Sequence, residues 1–166
     1  MIDLGKIDLQ HRASVYDARN KIRGLASALG YDAIETTRLA TAVSEAVREL
    51  RSNSLEPHLA VSLATEFSPP QLVLDFGCRD TPPAFIGLDG FFNSLRRTYT
   101  RNGFHGVRAL RWLPNPAFEA TDSFITAQRE RIQSRSREEL MAEIKLKNQD
   151  LERHSAELEE TVTRRT

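Results

Sequence analysis

Ala40-Thr-Ala-Val-Ser-Glu-Ala-Val-Arg-Glu49 is the stretch on which the reading of this chain turns. Ala40, Val43, Val47 and Leu50 recur at helical spacing, with Leu39 and Ala46 flanking them, so one side of this segment is built for a core. Glu45 and Glu49 stand one turn apart and therefore share a second face, where two carboxylates would look into the same space. The segment has a start signal as well. Asp32 can accept from the first free amides while Glu35 reaches back, a capping box with Asp in the Ser/Thr place. Arg51-Ser-Asn-Ser and Pro57 end it.

Working outward, a first helix precedes it. Val15, Ala18, Ile22, Leu25, Ala26 and Leu29 fall on one face, Ser14 is a candidate N-cap, and Gly30 occupies the left-handed C-cap position. On the other side, Leu59, Val61, Leu63, Thr65 and Phe67 alternate with more polar neighbours, and so do Leu72, Leu74, Phe76 and Cys78. Period-two patterning with one buried face, joined by the short Ser68-Pro-Pro-Gln turn, predicts an antiparallel hairpin.

From Asp80 to Gly103 the periodicity breaks down, in a segment carrying Phe85, Phe91, Phe92, Leu95 and the basic cluster Arg96, Arg97 and Arg101. Irregular stretches of this length inside a domain are usually functional or mobile. Its phenylalanines are expected to fold inward rather than form an apolar docking patch. Val107–Leu113 reads as a third helix ending at Pro114, followed by a short hairpin over 117–121 and 124–128. The expected architecture is α+β: a two-layer sandwich of a mixed, mainly antiparallel sheet with helices on one face. The domain covers residues 1–130, and a long C-terminal helix covers 131–166.

In that helix, Met141, Asn148, Ser155 and Val162 fall on a positions and Ile144, Leu151 and Leu158 on d positions of a heptad repeat. A lone asparagine in the seam, Asn148, favours two parallel chains in register, so these seven residues predict a homodimeric coiled coil over Glu138–Val162. The chain closes on Glu159-Glu-Thr-Val-Thr-Arg-Arg-Thr166 without a cap, and a further output domain is expected to follow.

Composition narrows the function classes. The chain has 23 basic and 23 acidic residues, and this neutrality argues against a nucleic-acid partner. No apolar run is long enough for a membrane span, and the acidic residues at Asp3 and Asp8 do not suit a secretory signal, so a cytoplasmic protein is expected. The single cysteine, Cys78, excludes an internal disulfide and a cysteine-cluster zinc site, and reads as a small buried hydrophobe. His58 and His105 have no ligand-spaced partners, and Trp112 with Leu113 is expected to pack on the sheet.

The Ala40–Glu49 stretch resembles the N-box helix of the GHKL ATP-binding fold, in the branch of bacterial anti-sigma-factor and stress-switch serine kinases. That family typically reads Ala-Thr-Ala-Val-Ser-Glu, three residues, then Asn. The resemblance runs over roughly residues 8–128 and is carried mainly by this helix. It implies Glu45 as catalytic base toward a partner's serine and position 49 as ligand to a nucleotide-bound magnesium. Here position 49 is Glu, whose carboxylate can ligate a hard cation but adds negative charge beside phosphates. The family's Asp-x-Gly-x-Gly adenine motif has two placements here. Asp75-Phe-Gly-Cys-Arg keeps one glycine but sets the Asp mid-strand. Asp80-Thr-Pro-Pro-Ala, preferred because the alternation runs unbroken to Cys78, keeps the Asp at the strand end and replaces both glycines. Its Gly-x-Gly lid hinge corresponds to Gly103-Phe-His-Gly106, with altered spacing, leading into the expected helix at Val107.

All three motifs depart from the pattern, so no cofactor is expected, with ATP and magnesium implied only if the site is active. The resulting expectation is a degenerate regulatory domain that binds a protein partner, antagonist or response-regulator in type. It would relay its state through a dimeric coiled coil to an output domain such as a histidine kinase. The alternative is an active ATP- and magnesium-dependent serine/threonine kinase acting on an antagonist protein. Binding nucleotide would then fall to Glu49, Asp80, Gly103 and Gly106.

Overall fold

The computed structural model describes residues 1–134 and 137–165, with side chains at all of these except 137–139, 142, 143 and 158–165. The chain divides into two units, Met1–Ser134 and Arg135–Thr166. The first runs β1 (Ile2–Asp8), α1 (Ser14–Ala28), α2 (Ala33–Asn53), β2 (Leu55–Ala64), β3 (Gln71–Arg79), β4 (Ser94–Arg101), β5 (Phe104–Trp112) and α3 (Asp122–Gln133). The second holds α4 (Arg137–Arg165).

The alternation in β2 and β3 produces the expected hairpin, with Leu59 opposite Phe76, Val61 opposite Leu74 and Leu63 opposite Leu72. β1 adds to the β2 edge and β5 to the β3 edge, and β4 closes the order β1-β2-β3-β5-β4. Every pairing in this five-stranded sheet is antiparallel, where a mixed sheet had been expected. Ile7, Leu59, Phe76 and Val107 form one cross-strand row, and Val61, Leu74 and Ala109 the next. These side chains are buried and share one core with Ile22 and Leu25 of α1 and Leu39, Val43, Val47 and Leu50 of α2. The adjacent row, Lys6, Ala60, Asp75, Arg108 and Arg96, lies on the opposite face, as a period of two requires.

Both helix starts and stops have local causes. Gly30 (φ +95°) follows α1, with the Gly30 amide donating to the Ser27 carbonyl and the Tyr31 amide to Ala26, a Schellman closure. Asp32 caps α2 by accepting from the Glu35 amide at 2.7 Å. Glu35 does not reach back; its carboxylate lies 3.7 Å from Arg111. Ser14 begins α1 but is not its cap: its hydroxyl accepts from the His11 amide and donates to the Asp8 carbonyl, fastening the β1–α1 turn.

Three segments differ from their sequence reading. Val107–Leu113 is not a helix, because residues through Trp112 form β5, paired with β3 along its length and with β4 as far as Leu110. The expected hairpin is absent: 117–121 is the approach to α3 and 124–128 lies within that helix, which Thr121 caps by accepting from the Phe124 amide. The irregular stretch from Asp80 contains β4, so the Gly103–Gly106 segment turns one strand into another and precedes no helix. Leu113 is buried as expected, but the Trp112 side chain is half exposed. Phe67 and Thr65 lie beyond the end of β2 and are exposed.

α3 binds the end of this unit to its beginning. Ile132 is fully buried, Arg129 donates to the Asp3 carbonyl, and a side chain on Gly5 would collide with Gln133. Lys21, buried on α1, lies 3.0 Å from Asp17 Oδ2, at an angle outside hydrogen-bond geometry, and donates to the Ser134 carbonyl at 2.5 Å. In the second unit, Met141, Ile144, Asn148, Leu151 and Ser155 are exposed on α4. The Leu158 and Val162 side chains lie outside the described residues. Among the described residues, no helix is long and apolar enough to cross a membrane.

Candidate functional site

The core side of α2 fixes the azimuth of its other faces. With Val43, Ala46, Val47 and Leu50 buried, Glu45 points to solvent and Glu49 sits half-buried at the boundary. Glu45 pairs with Arg48 at 2.8 Å, an exposed contact one turn apart. Glu49 behaves differently: both its carboxylate oxygens lie 3.2 Å from the Phe85 amide, which donates to them. Glu45 and Glu49 line a cavity of about 330 Å³ together with Arg48, Ser52, Asn53, Phe85, Ile86 and Leu88.

The partner of Glu49 comes from the segment after β3. Asp80 (φ +74°) turns the chain out of the strand, and Phe85 (φ +48°) and Gly87 (φ +80°) turn it back toward α2. Left-handed conformations at Asp80 and Phe85 are uncommon for residues with a Cβ. Contacts hold the segment in place: the Ser54 hydroxyl donates to the Thr81 carbonyl at 2.7 Å, and the Cys78 thiol donates to the same oxygen at 3.4 Å. Burial pushes the Cys78 thiol pKa up, and the nearby Glu49 carboxylate adds to the rise. Cys78 is fully buried, as its sequence reading held.

The phenylalanines of this segment fold inward. Phe85 packs edge-on against Phe76 with ring centroids 5.3 Å apart, and Phe92 and Leu88 are buried in the same core. Phe91 and Leu95 pack partly buried against it, and Arg38 of α2 lies over the Phe91 ring. The space between α2 and β3 is therefore occupied by the chain itself. Ile86, 90% exposed, sits at the rim.

The other residues expected at a nucleotide site gather elsewhere. The Asp80 amide donates to the Gly103 carbonyl at 2.8 Å, the Asp80 carbonyl lies 3.1 Å from His105 Nε2, and the Asp80 carboxylate is exposed near Arg79. Asp80, Gly103 and His105 thus lock the end of β3 to the β4–β5 turn. Gly106 lies in β5, where a side chain would collide with the Tyr99 ring. None of Asp80, Gly103 and Gly106 lines the cavity beside Glu45 and Glu49. Among the described residues, no group of three or more His, Cys, Asp or Glu side chains is placed to hold a metal ion.

Sequence reasoning brought Glu45 and Glu49 to one cavity but did not find the Phe85 amide as the partner of Glu49. The usable signal was the Pro82-Pro-Ala-Phe-Ile-Gly87 run, whose prolines and glycine mark a turn without saying which group it serves.

No protein-family model matches the chain, and no curated protein matches it in sequence. Among solved structures it is similar to the RsbU and RsbW domains of Rv1364c from Mycobacterium tuberculosis, with a TM-score of 0.52 and 16% identity. The likeness is one of fold. It covers 69% of this chain and 33% of that one, so the chain spans about a third of the length of the protein it matches. An α+β unit with a five-stranded antiparallel sheet is consistent with the GHKL-like fold that the α2 stretch resembles. At this identity, the residues of the site carry the functional argument.

Proposed function

We propose that this chain is a regulatory module of a signalling protein: a GHKL-like domain that has given up nucleotide chemistry. It binds a protein partner and passes its state through a paired α4 helix to an output domain. The observation that carries the reading is the Glu49–Phe85 contact. At the position where the resembling kinases place a magnesium-ligating Asn, both oxygens of Glu49 accept from a backbone amide of the same chain.

A magnesium nucleotide fits this donor set poorly. Glu45 and Glu49 put two carboxylates on the wall that would face phosphates, with Arg48 already paired to Glu45. Phe85 and Phe92 take up apolar space between helix and sheet, and the Asp80 backbone serves the β4–β5 turn. No chemical step is therefore assigned to the site. Protein binding remains a natural use of the fold, because the α2 cavity and the exposed Ile86 offer a rim on which a partner can act. A partner that displaced Phe85 would release Glu49, giving two arrangements of one element with different surfaces.

Calorimetric titration with a non-hydrolysable ATP analogue and magnesium tests the proposal. The expected result is no saturable micromolar binding that requires magnesium or depends on Glu45 or Glu49. Micromolar binding that disappears in both Glu45→Ala and Glu49→Ala would instead establish the active serine/threonine kinase, with Glu45 as base and Glu49 on magnesium.

A further inference from the structure

The strands farthest from α3 carry a concentration of charge that the chain's overall neutrality conceals. Between Ser94 and Trp112 the sequence contains Arg96, Arg97, Arg101, Arg108 and Arg111 and no acidic residue. Arg111 is used on the helix side, donating to the Phe91 carbonyl and lying near Glu35. Arg96 and Arg108 share the opposite face, directly across from each other in the β4–β5 register. Like charges placed opposite one another across strands destabilise a sheet unless something neutralises them. Asp75 answers Arg108 with a bidentate contact at 2.8 and 3.1 Å. Among the described residues no carboxylate pairs with Arg96 or Arg97, so their charge is uncompensated.

Beside these arginines the surface dips into a cavity of about 380 Å³, lined by Arg96, Arg97, Arg108, Asn93, Leu110 and Trp112 among others, none of them acidic. That volume lies at the lower end of the roughly 300–1,000 Å³ typical of small-molecule sites. Trp112 is 52% exposed, yet its backbone is clamped: its amide donates to Asn93 Oδ1 at 2.8 Å, and its carbonyl accepts from the Tyr31 hydroxyl at 2.6 Å. The exposed indole at this anchored position offers a face on which a planar ring can stack. Guanidinium forks match phosphate oxygens in pairs, and an aromatic face is the sequence-tolerant receptor for a nucleobase.

We infer that this outer sheet face binds a nucleotide phosphate, with the base stacked on Trp112 and the phosphate held by Arg96 and Arg108, and by Arg97 from the edge of the cavity. This site is separate from the α2 cavity, shares none of its lining residues, and does not depend on the regulatory proposal. The ligand chemistry has two sources, a free nucleotide or a nucleotide within a single strand. Arg101 and the exposed Tyr99 farther along the same ribbon would extend the site for a strand.

The chain has one tryptophan, so its fluorescence reports on this site alone. The experiment titrates the full chain, without magnesium, with oligothymidylate, thymidine monophosphate, inorganic phosphate and poly-glutamate. The expected result is quenching by oligothymidylate whose apparent affinity falls as salt rises. Arg96→Ala/Arg97→Ala should weaken it about tenfold, since charge-assisted phosphate contacts are lost. Trp112→Ala, followed by anisotropy of a labelled oligonucleotide, should cost about tenfold or more through lost stacking. Glu45→Ala/Glu49→Ala should change nothing. Thymidine monophosphate quenching as effectively per nucleotide assigns a free nucleotide, and quenching by the strand alone assigns single-stranded nucleic acid. Three results would overturn the inference. They are no quenching by either nucleotide probe, quenching indifferent to Arg96 and Arg97, or poly-glutamate binding as tightly with no change at Trp112. The last would reassign the patch to an acidic protein.

Discussion

At Glu49 the local chemistry separates the two functional readings more sharply than the motif does. A hydrogen bond to a charged acceptor contributes about 1.5–3 kcal/mol, and partial exposure places this one toward the lower end. Glu49→Ala is therefore expected to lower stability by about 1–2 kcal/mol in urea unfolding, with Glu49→Gln losing less because its amide oxygen still accepts. An unaltered urea midpoint in Glu49→Ala would show that the contact with Phe85 is not holding the segment. His58 supplies a second residue-scale expectation. Its imidazole lies over Gly77, where burial lowers its pKa from 6.5 more than the Glu56 carbonyl raises it. Because the folded form resists protonation, the unfolded chain takes up the proton first as pH falls. The His58 contribution is thus complete above pH 6.5, is lost as pH drops from there to the folded value, and is constant below it. Urea midpoints from about pH 8 to about pH 5 should fall more steeply in the native chain than in His58→Gln.

At the scale of elements, α2 shows how much a segment can specify about itself. Its cap, apolar stripe and terminator are all local, and Asp32→Ala should cost about 1 kcal/mol in the same unfolding assay by removing the acceptor for the Glu35 amide. The helix and the β2–β3 hairpin were legible in the sequence for this reason, and so was the inward packing of Phe85 and Phe92. β5 was not. Val107-Arg-Ala-Leu-Arg-Trp-Leu113 has apolar residues at positions that suit a short helix as well as a strand, and length alone could not arbitrate. What decides it is non-local: Arg108 meets Asp75 on one face, Ala109 meets Leu74 on the other, and both of its edges are paired. The same holds for α3, which reads in the sequence as a short hairpin: its cap at Thr121 is local, but the burial of Ile132 against the rest of its own unit is not. The candidate site follows this division. Glu45 and Glu49 came from periodicity within one helix, whereas the Phe85 amide reached Glu49 through left-handed turns that no spacing rule encodes.

For the whole molecule, averages mislead in two directions. Net charge is zero, yet the β4–β5 ribbon is uniformly basic, so neutrality describes the sum and not the surfaces. Mean hydropathy likewise hides the apolar side chains Met141, Ile144 and Leu151, exposed along α4 in a single chain. Full burial of such a side chain contributes about 1.5–3 kcal/mol, which gives α4 reason to pair. The proposed relay needs that pairing to have one register, and Asn148 is the residue suited to set it, since a polar a-position residue gains specificity at the expense of stability. Two substitutions examine this together. Leu151→Asp, which puts a charge in the seam, should convert a dimer to a monomer in sedimentation experiments. Asn148→Leu should raise the melting temperature of the dimer and weaken the preference for parallel, in-register pairing, read as disulfide cross-linking of a cysteine added at the helix end. If the native chain and both variants sediment as monomers, pairing through α4 is excluded, and with it the relay. If Asn148→Leu destabilises the dimer instead, the asparagine contributes to holding the chains together and the heptad assignment around it must be shifted.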